Sequence, residues 1–139
     1  MTSPLDNLVA VGTLQRERPD AREYGGLLRS GRIRLADAQN PANAIESRFD
    51  LAYNAAHALS LAALRRLGYR SGNRYAVFQA LPHTLGTPVE QMRVLARAHT
   101  VRNQGEYEGD LNVDERLVTD LVAACTTVLR ALDALPPLA

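Results

Sequence analysis

The 139-residue chain is 46% hydrophobic and 22% charged with a formal net charge of +1, which excludes a disordered polyelectrolyte and gives no global drive toward nucleic acid. With 5% aromatic residues and no Trp, the core has to be built from Leu, Ala and Val, which suits close helix packing better than a β-sandwich. One cysteine, Cys125, excludes an intrachain disulfide and a Cys-based zinc site, and three scattered histidines make a poor His site, so neither metal nor other cofactor is expected.

The length fits a single domain over residues 1–139. All 16 basic residues are Arg, each a planar fork able to grip a phosphate through two hydrogen bonds. Met1 to Val9 has no basic cluster before an apolar run, so it does not read as a secretory signal. The most apolar stretch, Ala55 to Leu64, is too short to span a bilayer and holds His57 and Ser60. A cytoplasmic protein without a membrane segment is expected.

The punctuation is helical from end to end. Ser3-Pro4 is an N-cap followed by Pro, predicting a short helix to about Arg16. Pro19-Asp20 opens a second helix through Ala38, weakened or broken by Gly25, Gly26 and Gly31. Asn40-Pro41 starts a long core helix that reaches Leu67 and stops at Gly68. Along it Phe49, Ala52, Tyr53, Ala56, Leu59, Ala63 and Leu67 recur at three- and four-residue spacing.

Tyr69 to Asn73 reads as a polar loop, and Arg74 to Leu85 as a shorter helix with Pro82 as kink or terminator. Thr87-Pro88-Val89-Glu90 is a capping-box pattern opening a helix to about Tyr107. Asn112 to Glu115 offers another N-cap. The last helix carries Val118, Leu121, Val122, Cys125, Val128, Leu129, Leu132 and Leu135 on one stripe and ends before Pro136-Pro137. No strand-like alternation of useful length is present. The fold class expected is all-α, an antiparallel bundle of five to six helices.

The chemistry is concentrated in Arg97 to Tyr107. At 3.6 residues per turn, Met92, Leu95, His99, Arg102, Asn103 and Glu106 share an arc of about 100°, with Tyr107 at its edge. An apolar stripe thus becomes polar without changing direction, and such a face is expected to point into a cleft or a dimer seam. A second face, Val94, Ala98, Val101 and Gly105, is small enough for close approach by another helix. Arg102 can bind a phosphodiester, Asn103 can orient a donor or acceptor, and Tyr107 or His99 can exchange a proton. Equally, Arg102 and Glu106 form an i,i+4 pair and the face is an ordinary helix surface. On residue chemistry alone both readings stand.

Elsewhere, His57 reads as a partly buried, hydrogen-bonded histidine, and His83 as a cation at a helix end. Arg65, Arg66, Arg70 and Arg74 cluster around the Gly68 turn, either to guide RNA or as a solvated helix end. Cys125 reads as a small core residue.

Phe49-Asp50-Leu51-Ala52-Tyr53-Asn54-Ala55-Ala56, the Leu67-Gly68-Tyr69-Arg70 stop, the Arg102-Asn103 pair and the closing amphipathic helix together resemble the HEPN superfamily (higher eukaryotes and prokaryotes nucleotide-binding) over residues 40–135. The resemblance implies a small helical domain that dimerises across a composite site. It implies metal-independent ribonuclease activity in RNA metabolism or a toxin–antitoxin-type system. The family signature is Arg, a polar residue, a few more residues, then His; Arg102 and Asn103 match its first two positions. Tyr107 stands where the signature has His. A phenol of pKa near 10 is a poorer proton shuttle at neutral pH than an imidazole near 6.5. This departure sets a rival beside the nuclease: a non-catalytic module binding a nucleotide or a protein such as a nucleotidyltransferase.

Overall fold

A computed structural model describes residues 3–109 and 113–138, without the side chains of residues 106–108. Among the described residues it is all-α. Seven helices follow one another: α1 (Pro4–Ala10), α2 (Ala21–Ala38), α3 (Ile45–Arg66), α4 (Arg74–Gln79), α5 (Leu81–Thr84), α6 (Val89–Glu108) and α7 (Glu115–Asp133). The only strands described are two short ones, β1 (Gln15–Arg16) and β2 (Tyr69–Arg70), paired antiparallel with Arg16 opposite Tyr69. No helix among the described residues is long and apolar enough to cross a membrane.

The core is organised around α3, which packs against α2, α4, α5, α6 and α7. Its alanines explain why. Ala52, Ala55, Ala56, Ala58, Ala62 and Ala63 are all buried, so several helices can approach one axis. The α7 stripe faces it with Leu117, Val118, Leu121, Ala124, Cys125, Val128 and Leu132 buried. Burial raises the Cys125 thiol to about 12, consistent with an inert core residue. A second cluster, with Leu5, Leu14, Leu64, Tyr69, Val77 and Ala80, closes the α1 end of the bundle.

Several predicted boundaries move. The first helix ends at Ala10, because a turn with Gly12 at φ 82° intervenes before β1. Helix α2 is unbroken, capped by the Asp20 carboxylate on the Arg22 and Glu23 amides. Gly31 is there for contact: a Cβ at that position would lie 2.5 Å from Leu59 Cδ2. Helix α3 begins at Ile45 and not at Pro41, since Asn40 folds onto the Ala42 amide in a turn of its own. The predicted 74–85 helix is two pieces, separated at Ala80 with Pro82 in the first turn of the second.

Thr87 does not cap α6. Pro88 is the N-cap, and the buried Thr87 Oγ1 has no partner among the described residues. Asp114, accepting from the Leu117 amide, caps α7. Of the predicted 112–115 cap, Asn112 lies outside the described residues.

The arginines around Gly68 divide by role. Arg65 is buried, with a side chain only 2% exposed, and is neither a solvated helix end nor an RNA guide. It donates to Glu23 Oε1 at 2.5 Å and to the main-chain oxygens of Glu17 (2.8 Å), Arg18 (2.7 Å) and Tyr69 (3.3 Å). Arg70 joins it, bonded to both Glu17 and Glu23 at 2.5 Å. The hydrogen bond from Arg65, with a further one from Arg70, holds the Glu23 carboxyl below its ordinary range. Arg66 lies over the Tyr24 ring. Arg74 turns instead toward α3.

Candidate functional site

The described polar residues of the α6 face, His99, Arg102 and Asn103, are half-buried. Leu95 is buried, and one turn later His99 lies against α3, where its Nδ1 is 2.8 Å from the Tyr53 hydroxyl. Asn103, one further turn on, places its Nδ2 3.1 Å from His99 Nε2. With the Asn103 amide donating to Nε2, the neutral imidazole carries its proton on Nδ1 and donates it to the Tyr53 oxygen. That leaves Nε2 as the basic nitrogen, with the Asn103 amide on it, in a ring that is only partly buried.

Tyr53 is wholly buried and is the anchor of the site. Phe49 stacks on it at 6.4 Å, Phe78 meets it edge-on at 5.9 Å and the His99 ring is 6.1 Å away. Tyr75, 40% exposed, brings its ring to 5.8 Å from His99 on the outer side of this cluster. Both phenylalanines, two of the five tyrosines and two of the three histidines are thereby drawn to one place in an aromatic-poor chain.

Two guanidiniums stand over the same Tyr53 ring, Arg102 at 4.9 Å and Arg74 at 5.5 Å. Arg102 Nε also lies 3.9 Å from Asp50 on α3, at the outer limit of an ion pair. Arg74 donates to Asn54 Oδ1 at 3.0 Å. His57, one turn after Tyr53, is partly buried, its ring edge-on to Phe78. The hydrogen bond expected for it is not found among the described residues. Burial first, then the charges of Arg74 and Arg102 and the nearby His99, push His57 down to about 4. It is therefore neutral at physiological pH.

Three of the four predicted site residues, His99, Arg102 and Asn103, are thus brought to one place against α3. The fourth, Tyr107, lies on the last turn of α6 and its side chain is outside the described residues. Tyr53, Arg74 and Tyr75 complete the site and were not singled out for it. Tyr53 and His99 are 46 residues apart, and nothing in their local patterns shows that they meet. His83 stands exposed on α5. Among the described residues no group of three His, Cys, Asp or Glu side chains could hold a metal ion.

No protein-family model, no curated protein and no solved structure matches the chain. Fold and site define an all-α bundle carrying a tyrosine-anchored histidine beside two arginines.

Proposed function

We propose that the chain is a HEPN-like protein that cleaves RNA without a metal, as a homodimer in RNA metabolism or a toxin–antitoxin-type system. The observation that carries this reading is the 2.8 Å hydrogen bond between His99 Nδ1 and the Tyr53 oxygen, on the same face of α6 as Arg102. A histidine oriented through one nitrogen is the usual form of a general base, because the other nitrogen is then fixed in direction and basicity. His99, and not Tyr107, is the proton carrier in this account. Its Nε2 takes the proton of a ribose 2′-hydroxyl as the O2′–P bond forms and the P–O5′ bond breaks. The proton is returned to the departing 5′-oxygen, leaving a 2′,3′-cyclic phosphate and a 5′-hydroxyl. Arg102 stabilises the charge on the non-bridging oxygens. Asn103 holds Nε2 until the hydroxyl replaces it. The exposed Tyr75 offers a ring on which an unpaired base can stack.

Cleavage of single-stranded RNA in EDTA tests this. The wild-type chain should cut, and Arg102→Ala and His99→Gln should each lose about 100-fold or more. Cleavage that stops on chelation, or is unaffected in both variants, rejects the reading.

One observation favours a second reading, a non-catalytic nucleotide- or protein-binding module. Both ring nitrogens of His99 are already engaged within the chain. Tight RNA or nucleotide binding without cleavage at any protein concentration would select it. Stable complex formation with a nucleotidyltransferase would select its protein-binding form.

A further inference from the structure

A cleft of about 180 Å³ lies between α2, α3 and the start of α4, beside the Tyr53–His99 site, with which it shares Arg74 and His57 but neither His99 nor Arg102. Leu27 and Leu61 give it an apolar wall, while Arg34, Arg74, His57 and Asn54 give it a polar one. The two guanidiniums come from different helices and face one space. Most carboxylates that make ion pairs in this fold serve other arginines: Asp6 with Arg16, Asp133 with Arg32, Glu115 with Arg48, Glu17 and Glu23 with Arg65 and Arg70. Arg34 bonds instead to the Ser30 hydroxyl and Arg74 to the Asn54 amide oxygen. Among the described residues no carboxylate lies within ion-pair distance of either.

Two like charges sharing a cleft repel each other, and an anion between them removes the repulsion and gains charge-assisted hydrogen bonds. The volume is below the roughly 300 Å³ at which drug-sized ligands are held, and suits a phosphate with the edge of its sugar.

We propose that this cleft binds a phosphate group, gripped by Arg34 and Arg74, with the His57 ring and the Asn54 side chain completing its hydrogen bonds. The phosphate belongs to a nucleoside monophosphate or to a single-stranded RNA. Burial is the larger cause of the lowered His57 pKa, and the charge of Arg74, which lines the same cleft, is the next. The site stands whether or not the chain cleaves RNA, since it shares neither His99 nor Arg102.

The test is histidine-ring NMR on the full chain, whose three histidines are separable by substitution. Inorganic phosphate, a nucleoside 5′-monophosphate and a short 2′-O-methyl RNA, which cannot be cleaved, are titrated separately. The His57 signals should shift saturably and its apparent pKa should rise, while exposed His83 stays still. Arg34→Gln and Arg74→Gln should each weaken binding about tenfold or more, whereas His99→Gln should leave it within about twofold. Response to phosphate and mononucleotide assigns a free anion; response to RNA alone assigns a strand phosphate, with a salt dependence reduced by about 0.7 in slope per lost arginine. Either supports the site. Unmoved His57 signals in all three wild-type titrations overturn it without recourse to a variant, as does undiminished affinity in both arginine variants. RNA cleavage lost in His99→Gln with the His57 response intact, or the converse, separates this site from the catalytic one.

Discussion

His57 and Tyr53 sit one turn apart on α3 and have opposite consequences. His57 has a folded-state pKa of about 4 against an ordinary 6.5, so between those values the unfolded chain binds the extra proton. Stability is then full above about pH 6.5 and is lost as the pH falls toward 4. A full shift of that size is worth about 3 kcal/mol, reduced to about 2 by solvent at a partly exposed ring. Urea denaturation at several pH values should show this slope, and His57→Gln should flatten it. Tyr53→Phe removes one hydroxyl from a packed cluster and leaves His99 Nδ1 without its partner, costing about 1.5 kcal/mol. It should also lower RNA cleavage about tenfold or more, through the lost orientation of His99. Arg65 belongs to neither cluster, yet its removal should be strongly destabilising, because its buried side chain bonds to three main-chain oxygens and to Glu23. Arg65→Ala strips the Glu17, Arg18 and Tyr69 carbonyls of their shared donor and should cost about 3 kcal/mol, roughly 10 °C in a thermal melt.

At the scale of elements, the three glycines of α2 separate propensity from packing. Gly25 and Gly26 face open space, so Ala at either position should stabilise the chain by about 0.5–1 kcal/mol. Gly31→Ala should destabilise it by about 1–3 kcal/mol, because the new methyl meets Leu59 at 2.5 Å. Thermal denaturation of the three variants shows whether the signs divide in this way. The same helix shows what the sequence can reveal. Its start, Asp20, and its end near Ala38 are written in local cap chemistry and were legible. Its continuity was not, because the gain from placing Gly31 on Leu59 is made with another helix. Likewise the α3 periodicity was plain, but its start was misplaced: Asn40-Pro41 carries a start signal that the chain uses for a turn. Thr87 carries the capping-box pattern and is buried instead, while Pro88 takes the cap position.

At the scale of the whole molecule, the all-α class followed from Leu, Ala and Val at helical spacing, and the polar face of α6 was legible because it continues the Leu95 stripe. What that face meets was not. The partner is Tyr53, which reads as one more core aromatic until α3 and α6 are brought together. Arg74 was grouped with the arginines of the Gly68 turn, whose proximity in sequence concealed three different environments. A composite site needs two copies of the chain. Sedimentation of the purified chain should give twice the monomer mass, and a strict monomer that still cleaves RNA would rule out a composite site while leaving the chemistry of His99 in place.

His99, oriented by Tyr53, is proposed to carry the proton, although the HEPN signature that the chain resembles puts this duty at the position of Tyr107. Single-turnover cleavage of RNA in EDTA by His99→Gln and Tyr107→Phe, side by side with the wild type, tests it most directly. His99→Gln should lose about 100-fold or more, and Tyr107→Phe should cut at a rate within about threefold of wild type. The reverse pattern, with Tyr107→Phe inactive and His99→Gln still cutting, would contradict it.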